Sequence, residues 1–125
     1  MNVFAALPIA RVAKPWGHEL IWAHTDRYVG KILHVNAGAS LSLQYHERKE
    51  ETLYLLTGRV LLTLRNQTEG HEVEMRPGEA FHIYPRLIHR MTAVEDSDIL
   101  EVSTPELDDV VRLEDRYGRE GTSAP

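Results

Sequence analysis

Between Tyr28 and Val35 apolar side chains recur at alternate positions: Val29, Leu33 and Val35 share one face, and Lys31 sits among them. A period of two is that of a β-strand, whose side chains point alternately to opposite faces. The same pattern predicts strands over residues 19–22, 41–45, 52–56, 60–64, 72–75, 80–84, 90–94 and 99–103. Turn-forming groups separate them, among them Lys14-Pro15-Trp16-Gly17, Thr25-Asp26-Arg27, Asn36-Ala37-Gly38, Gly58, Arg76-Pro77-Gly78 and Pro85. Strands that recur about every 8 to 12 residues between such signals predict an all-β sandwich or barrel.

Two segments depart from this rhythm. Residues 1–13 show no strong period and read as an N-terminal arm. Past Ser103, Thr104 can cap a helix, Pro105 suits a first helical position, and Glu106, Asp108 and Asp109 favour a helix N-terminus. With Leu107, Val110 and Val111 as an apolar stripe and Gly118 as a stop, a short C-terminal helical turn is expected. Residues 14–119 then form one domain and residues 120–125 a disordered tail.

A chain of 125 residues can bury a core without a covalent or metal staple. It has no cysteine, which removes disulfides, thiolate zinc sites and cysteine nucleophiles. The formal charge of −5 is spread over interspersed acids and bases with no basic stripe, against a nucleic-acid partner. The apolar stretch Val3 to Leu7 lacks a positive flank and ends at Pro8, so it makes a poor signal peptide. No run approaches the roughly 20 apolar residues that span a bilayer. The expectation is a cytoplasmic protein with no membrane partner.

Seven histidines give the first sign of chemistry. Gln44 and His46 lie two apart on a predicted strand and so point the same way, Glu51 opens the next strand, and Gly58 turns it. A second block runs from Gly78 through a short strand and Pro85 to His89. Brought together, Gln44, His46, Glu51 and His89 offer two imidazoles, a carboxylate and an amide oxygen for one divalent metal ion: zinc first, with iron, manganese, nickel or cobalt as the other choices. Lys31 either snorkels to a rim or aims a cation at a substrate oxygen. His18, His24, His34 and His71 read as surface or satisfied core residues, and Arg112 as a partner for nearby acids. Leu41, Leu43 and Tyr45 oppose the ligand face. If they look outward they call for a cover from another chain or from the N-terminal arm, and a homodimer is the simplest case.

The first block resembles the first cupin motif: Gly38, five residues, Gln44-x-His46, four residues, Glu51, six residues, Gly58, with Gln44 in place of the first histidine. In the second motif Gly78 and His89 keep the family spacing, while Tyr84 stands at the proline position and Arg86 at the inner glycine position. The Gln, His, Glu, His set, the run Leu41-Ser42-Leu43-Gln44-x-His46, Lys14-Pro15-Trp16-Gly17, and the stretch Asp108 to Arg119 together resemble the small bacterial (type II) mannose-6-phosphate isomerase cupin domain. Lys49 stands where that family has arginine, and Thr52-Leu53 where it has His-Trp. The resemblance implies a double-stranded β-helix, or jelly-roll barrel. It also implies a metal held by Gln44, His46, Glu51 and His89, and an aldose–ketose sugar-phosphate isomerase acting through an enediolate, with Lys31 and Arg119 as catalytic or oxyanion-binding groups. A non-enzymatic sugar or sugar-nucleotide-binding cupin and an iron-dependent cupin oxygenase remain as alternatives.

Overall fold

The computed structural model describes residues 4–122. Residues 1–3 of the expected arm and 123–125 of the expected tail lie outside the described residues. Twelve strands follow in chain order: β1 (Ala10–Lys14), β2 (Gly17–His24), β3 (Val29–Val35), β4 (Leu43–Tyr45), β5 (Glu51–Thr57), β6 (Val60–Arg65), β7 (Gly70–Met75), β8 (Ala80–Ile83), β9 (Ile88–Ala93), β10 (Ser97–Ser103), β11 (Val111–Glu114) and β12 (Gly121–Thr122). They form two antiparallel six-stranded sheets, ordered β1-β2-β3-β10-β5-β8 and β12-β11-β4-β9-β6-β7. Strands β3 to β10 pass back and forth between the sheets, which makes the jelly-roll barrel that the alternation and the resemblance predict.

The core lies between the sheets, where Leu33, Leu53, Leu55, Leu62, Met75 and Ile99 interdigitate. Gly58 turns β5 into β6 at φ +96°, and a Cβ there would meet the Ser97 hydroxyl and the Asp96 carbonyl, so only glycine fits.

The chain ends depart from expectation. β1, which takes in residues 10–13 of the segment read as an arm together with Lys14, pairs with β2 around the Lys14–Gly17 turn. The C-terminal helical turn does not form. Residues 105–110 make short-range bonds such as Leu107 N–H to the Pro105 carbonyl and Val110 N–H to the Asp108 carbonyl. Val111–Glu114 is then a strand on β4, with Val111 opposite Tyr45 and Arg112 opposite Gln44. The free edge of β4 outweighs the local capping signals, because it satisfies a whole row of backbone groups at once.

Leu41 and Leu43 are also buried within the one chain. Leu41 N–H bonds to the Met91 carbonyl before β4 begins, and this irregular stretch breaks the alternation, so that Leu41 joins the core. These two residues need no second chain to cover them. The expectation of a homodimer rested on their exposure and loses that support.

Candidate metal centre

Strand register assembles the site. Arg112, Gln44, His89 and Leu64 stand side by side across β11, β4, β9 and β6. Glu51 faces them from the start of β5. The loop before β9 is a tight turn, Tyr84 to Leu87, closed by Leu87 N–H to the Tyr84 carbonyl. Pro85 holds its second position and Arg86, at φ +72°, its third. Arg86 N–H also bonds to the His46 carbonyl at 2.7 Å, which ties the second block's loop to the first. The displaced proline thus changes the turn and leaves His89 facing the cavity.

His46, Glu51 and His89 are all buried, and one ligand-type atom from each lies within 4.8 Å of the others. Both rings are set by backbone carbonyls. His46 Nδ1 donates to the Asp109 carbonyl at 2.5 Å and His89 Nδ1 to the Leu87 carbonyl at 2.9 Å. A carbonyl can only accept, so Nδ1 carries the hydrogen and Nε2 of each neutral ring is a bare lone pair. His89 Nε2 lies 3.3 Å from Glu51 Oε1, and His46 Nε2 lies 3.7 Å from it. His46 Nε2 is buried with no hydrogen-bond partner. A shielded lone pair without a donor is costly unless a cation takes it. Two imidazole nitrogens around one ionised carboxylate therefore fit a divalent metal ion. Gln44 lines the same cavity, and its Oε1 accepts from the Ser42 hydroxyl at 2.5 Å.

Charges that pattern reading missed surround this group. The Lys49 ammonium bridges Glu51 and Glu101 at 3.1 Å each. Burial alone would push the Glu51 carboxyl up. The Lys49 ammonium outweighs it and holds Glu51 well below the usual carboxylate range. Burial and the Glu51 charge push Glu101 up, and Lys49 offsets only part of that. Lys31 is buried, lines the cavity and pairs with Glu19 at 3.3 Å. Arg119 lines it too, held by Asp115 through Nε at 2.8 Å and Nη2 at 3.2 Å, with Tyr117 stacked on its guanidinium. Arg112 is buried against the same cavity. The missed partners, Glu19 and Glu101, carried a signal: each sits at an inward position of an alternating strand, where a carboxylate must be matched. His82 bonds Glu50 on the exposed side, and His18 stacks on His34, away from the cavity.

The family profile for the cupin domain matches residues 31–103, and the chain belongs to that family. It is 31% identical over 113 residues to the mannose-1-phosphate guanylyltransferase ManC of Salmonella typhimurium, covering 86% of this chain. The chain spans only 23% of that relative's length. Among solved structures, KdgF from Halomonas sp. superposes with a TM-score of 0.67 at 25% identity, over 79% of this chain and 86% of that one. Oxalate decarboxylase from Bacillus subtilis gives 0.77 at 15% identity, over 88% of this chain and 31% of that one, a likeness of fold. Among the described residues no helix is long and apolar enough to cross a membrane.

Proposed function

We propose that this cupin is a metal-dependent sugar-phosphate isomerase that interconverts an aldose phosphate and a ketose phosphate of the mannose 6-phosphate type. The observation that carries the reading is one cavity in which a buried His, Glu, His group is joined by the buried cation Lys31 and by Arg119. The 31% identity to a relative whose name places it in mannose phosphate chemistry points to the same substrate class. A phosphorylated sugar is a cytoplasmic metabolite, so the proposal carries that location with it.

His46, Glu51 and His89 would hold the ion, with Gln44 as a fourth donor. When bound it supplies Lewis acidity at a substrate carbonyl and its enediolate. The protein's own groups do the rest. Nδ1 bonds to fixed carbonyls keep both imidazoles oriented. Lys49 keeps Glu51 ionised at neutral pH. Lys31, anchored by Glu19, directs ammonium hydrogens at a substrate oxygen that gains charge as a proton moves between adjacent carbons. Trp16, Leu33 and Met91 line the wall and limit water.

The test is conversion of mannose 6-phosphate to fructose 6-phosphate by protein loaded with zinc, and separately with iron, manganese, nickel and cobalt. Turnover is expected with at least one ion, and its loss in His89→Ala together with the metal. A protein that binds one metal per chain and turns over nothing would end the isomerase reading. Oxygen uptake by the iron form, or sugar binding without turnover, would then define its replacement.

A further inference from the structure

Residues 47–50 join His46 to Glu51 and lie between β4 and β5. A loop of this kind has no ladder to satisfy its backbone groups. Here one segment does so instead. Glu47 N–H donates to Asp109 Oδ1 at 3.0 Å, and Arg48 and Lys49 N–H donate to Asp109 Oδ2 at 2.6 and 2.9 Å. Glu50 N–H donates to the Thr104 hydroxyl at 3.0 Å, and Thr104 N–H returns a bond to the Glu50 carbonyl at 3.0 Å. The backbone donors of all four residues between the two ligands thus end on Thr104 and Asp109. The Asp109 carbonyl also accepts from His46 Nδ1. One residue therefore holds a ligand ring through its backbone and the ligand loop through its side chain. The same loop carries Lys49, whose ammonium bridges Glu51 and Glu101.

From this arrangement we infer that Asp109 is a positioning residue for the metal centre, which sets how tightly and in what geometry His46 and Glu51 take an ion. The inference rests on the metal-centre reading alone, whatever reaction the centre serves. The two halves of the ligand set are held differently. Gln44 and His89 face each other across the β4–β9 pair, so a strand register fixes them. His46 and Glu51 are joined by a loop, and Asp109 supplies what the missing ladder would. Bonds from backbone N–H to a carboxylate are charge-assisted and stronger than bonds to a neutral acceptor. Without them residues 47–49 would regain conformational freedom, and the cost of ordering them would fall on the binding of the ion. Leu107 and Val110, on either side of Asp109, line the cavity. The clamp is thus part of the cavity wall, and it acts on the ion through His46 and the loop.

The test is the zinc affinity of the metal-free full chain by competition with a chelator, with cobalt(II) absorption as a probe of geometry. Asp109→Ala should weaken zinc by about tenfold to a hundredfold, the range for groups that orient metal ligands, and should change the cobalt bands. Asp109→Asn, which keeps one oxygen for Arg48 and Lys49 N–H, should recover part of the loss. Thr104→Val, which removes only the acceptor for Glu50 N–H, should cost less than Asp109→Ala. Leu55→Ala loses stability in the core without touching the clamp and should stay within about twofold of the parent. Hydrogen exchange separates the clamp from a general loss of stability. In Asp109→Ala the amides of residues 47–49 should exchange faster while those of β6 keep their protection, and zinc should slow residues 47–50 in the parent. Unchanged zinc affinity and cobalt bands in Asp109→Ala would overturn the positioning role and leave the metal centre standing. A loss that vanishes at high salt would overturn it too, because Asp109 would then act only as a distant charge. A parent that binds no metal would overturn both. Should Asp109→Ala fail to fold by circular dichroism, Asp109→Asn and Thr104→Val carry the comparison, and parental affinity in both would overturn the role. None of these readouts needs turnover, so failure of the isomerase reading leaves them unaffected.

Discussion

Leu55, Val60, Leu62, Met75 and Ile99 fill one end of the barrel with no exposed surface at all. Lys31, His46, Lys49, Glu51, His89 and Glu101 fill the other with only 2 to 6% exposed. The same strands supply both ends. β5 runs from Glu51 to Leu55, and β9 from His89 to Ala93. The apolar end is held by burial, which is non-directional and tolerates exchange of one shape for another of similar volume. At the polar end each ion has lost its water and stands only because another ion or a backbone group faces it. Stability and chemistry thus share a backbone while drawing on different forces, and substitutions can separate them.

The largest effect is expected at Lys49. Lys49→Met leaves Glu51 and Glu101 buried without the ammonium that bridges them. Removal of one partner from such a group costs about 3–5 kcal/mol, to be read by urea unfolding of metal-free protein. Zinc should restore part of the loss, since the ion returns positive charge beside Glu51. A change below about 1 kcal/mol would mean that the two carboxylates share a proton instead and that the polar end does not depend on matched ions. Leu55→Ala, at the apolar end, is expected to cost about 2–5 kcal/mol by the same measurement, with one metal per folded chain retained. Loss of metal from a folded Leu55→Ala protein would show that the two ends are coupled and would break the contrast.

This division also explains what the amino-acid pattern revealed. Alternation located the barrel strands because each has one apolar inner face, and motif spacing located His46, Glu51 and His89 because ligand register follows strand register. Three things were hidden. β1 is an edge strand and β11 lies one strand in from the edge, beside the two-residue β12; both have little pattern of their own, and only the partner strand decides their state. Thr104 to Asp109 carries genuine helix-starting residues, yet the Asp109 carboxylate accepts the backbone N–H groups of Glu47, Arg48 and Lys49 and so fastens the ligand loop. The pairs Lys31–Glu19 and Lys49–Glu101 join residues 12 and 52 positions apart, respectively, a distance at which no periodicity reports contact.

A smaller effect is expected where the polar end meets the C-terminal segment. Burial would raise the Asp115 carboxyl, but hydrogen bonds from Arg119 and the guanidinium charge hold it below the usual carboxylate range. A carboxyl depressed in the folded state contributes stability at neutral pH, and that contribution disappears as pH falls below about 4 toward the folded value. Asp115→Asn should cost about 1–2 kcal/mol at pH 7 and much less near pH 3, so the unfolding curves of parent and variant should converge in acid. Curves that stay parallel would mean that the Asp115–Arg119 pair does not hold the segment.

The smallest effect belongs to the turn that delivers His89. Arg86 adopts φ +72°, a left-handed conformation that costs a residue with a Cβ about 1–2 kcal/mol. Its side chain is exposed, and its pair with Glu47 at 3.1 Å is a surface ion pair of little worth. The backbone does the work there, because Arg86 N–H holds the His46 carbonyl whatever the side chain. Glycine removes the conformational cost and returns about 0.5–1 kcal/mol of unfolded-chain entropy, so Arg86→Gly should stabilise the protein by about 0.5–1 kcal/mol. Arg86→Ala keeps the Cβ and should change nothing beyond the ion pair. Thermal unfolding separates the two: a Tm rise of about 2–6 °C for glycine alone locates the strain in the backbone. An equal rise for alanine would locate it in the arginine side chain and leave the turn unstrained.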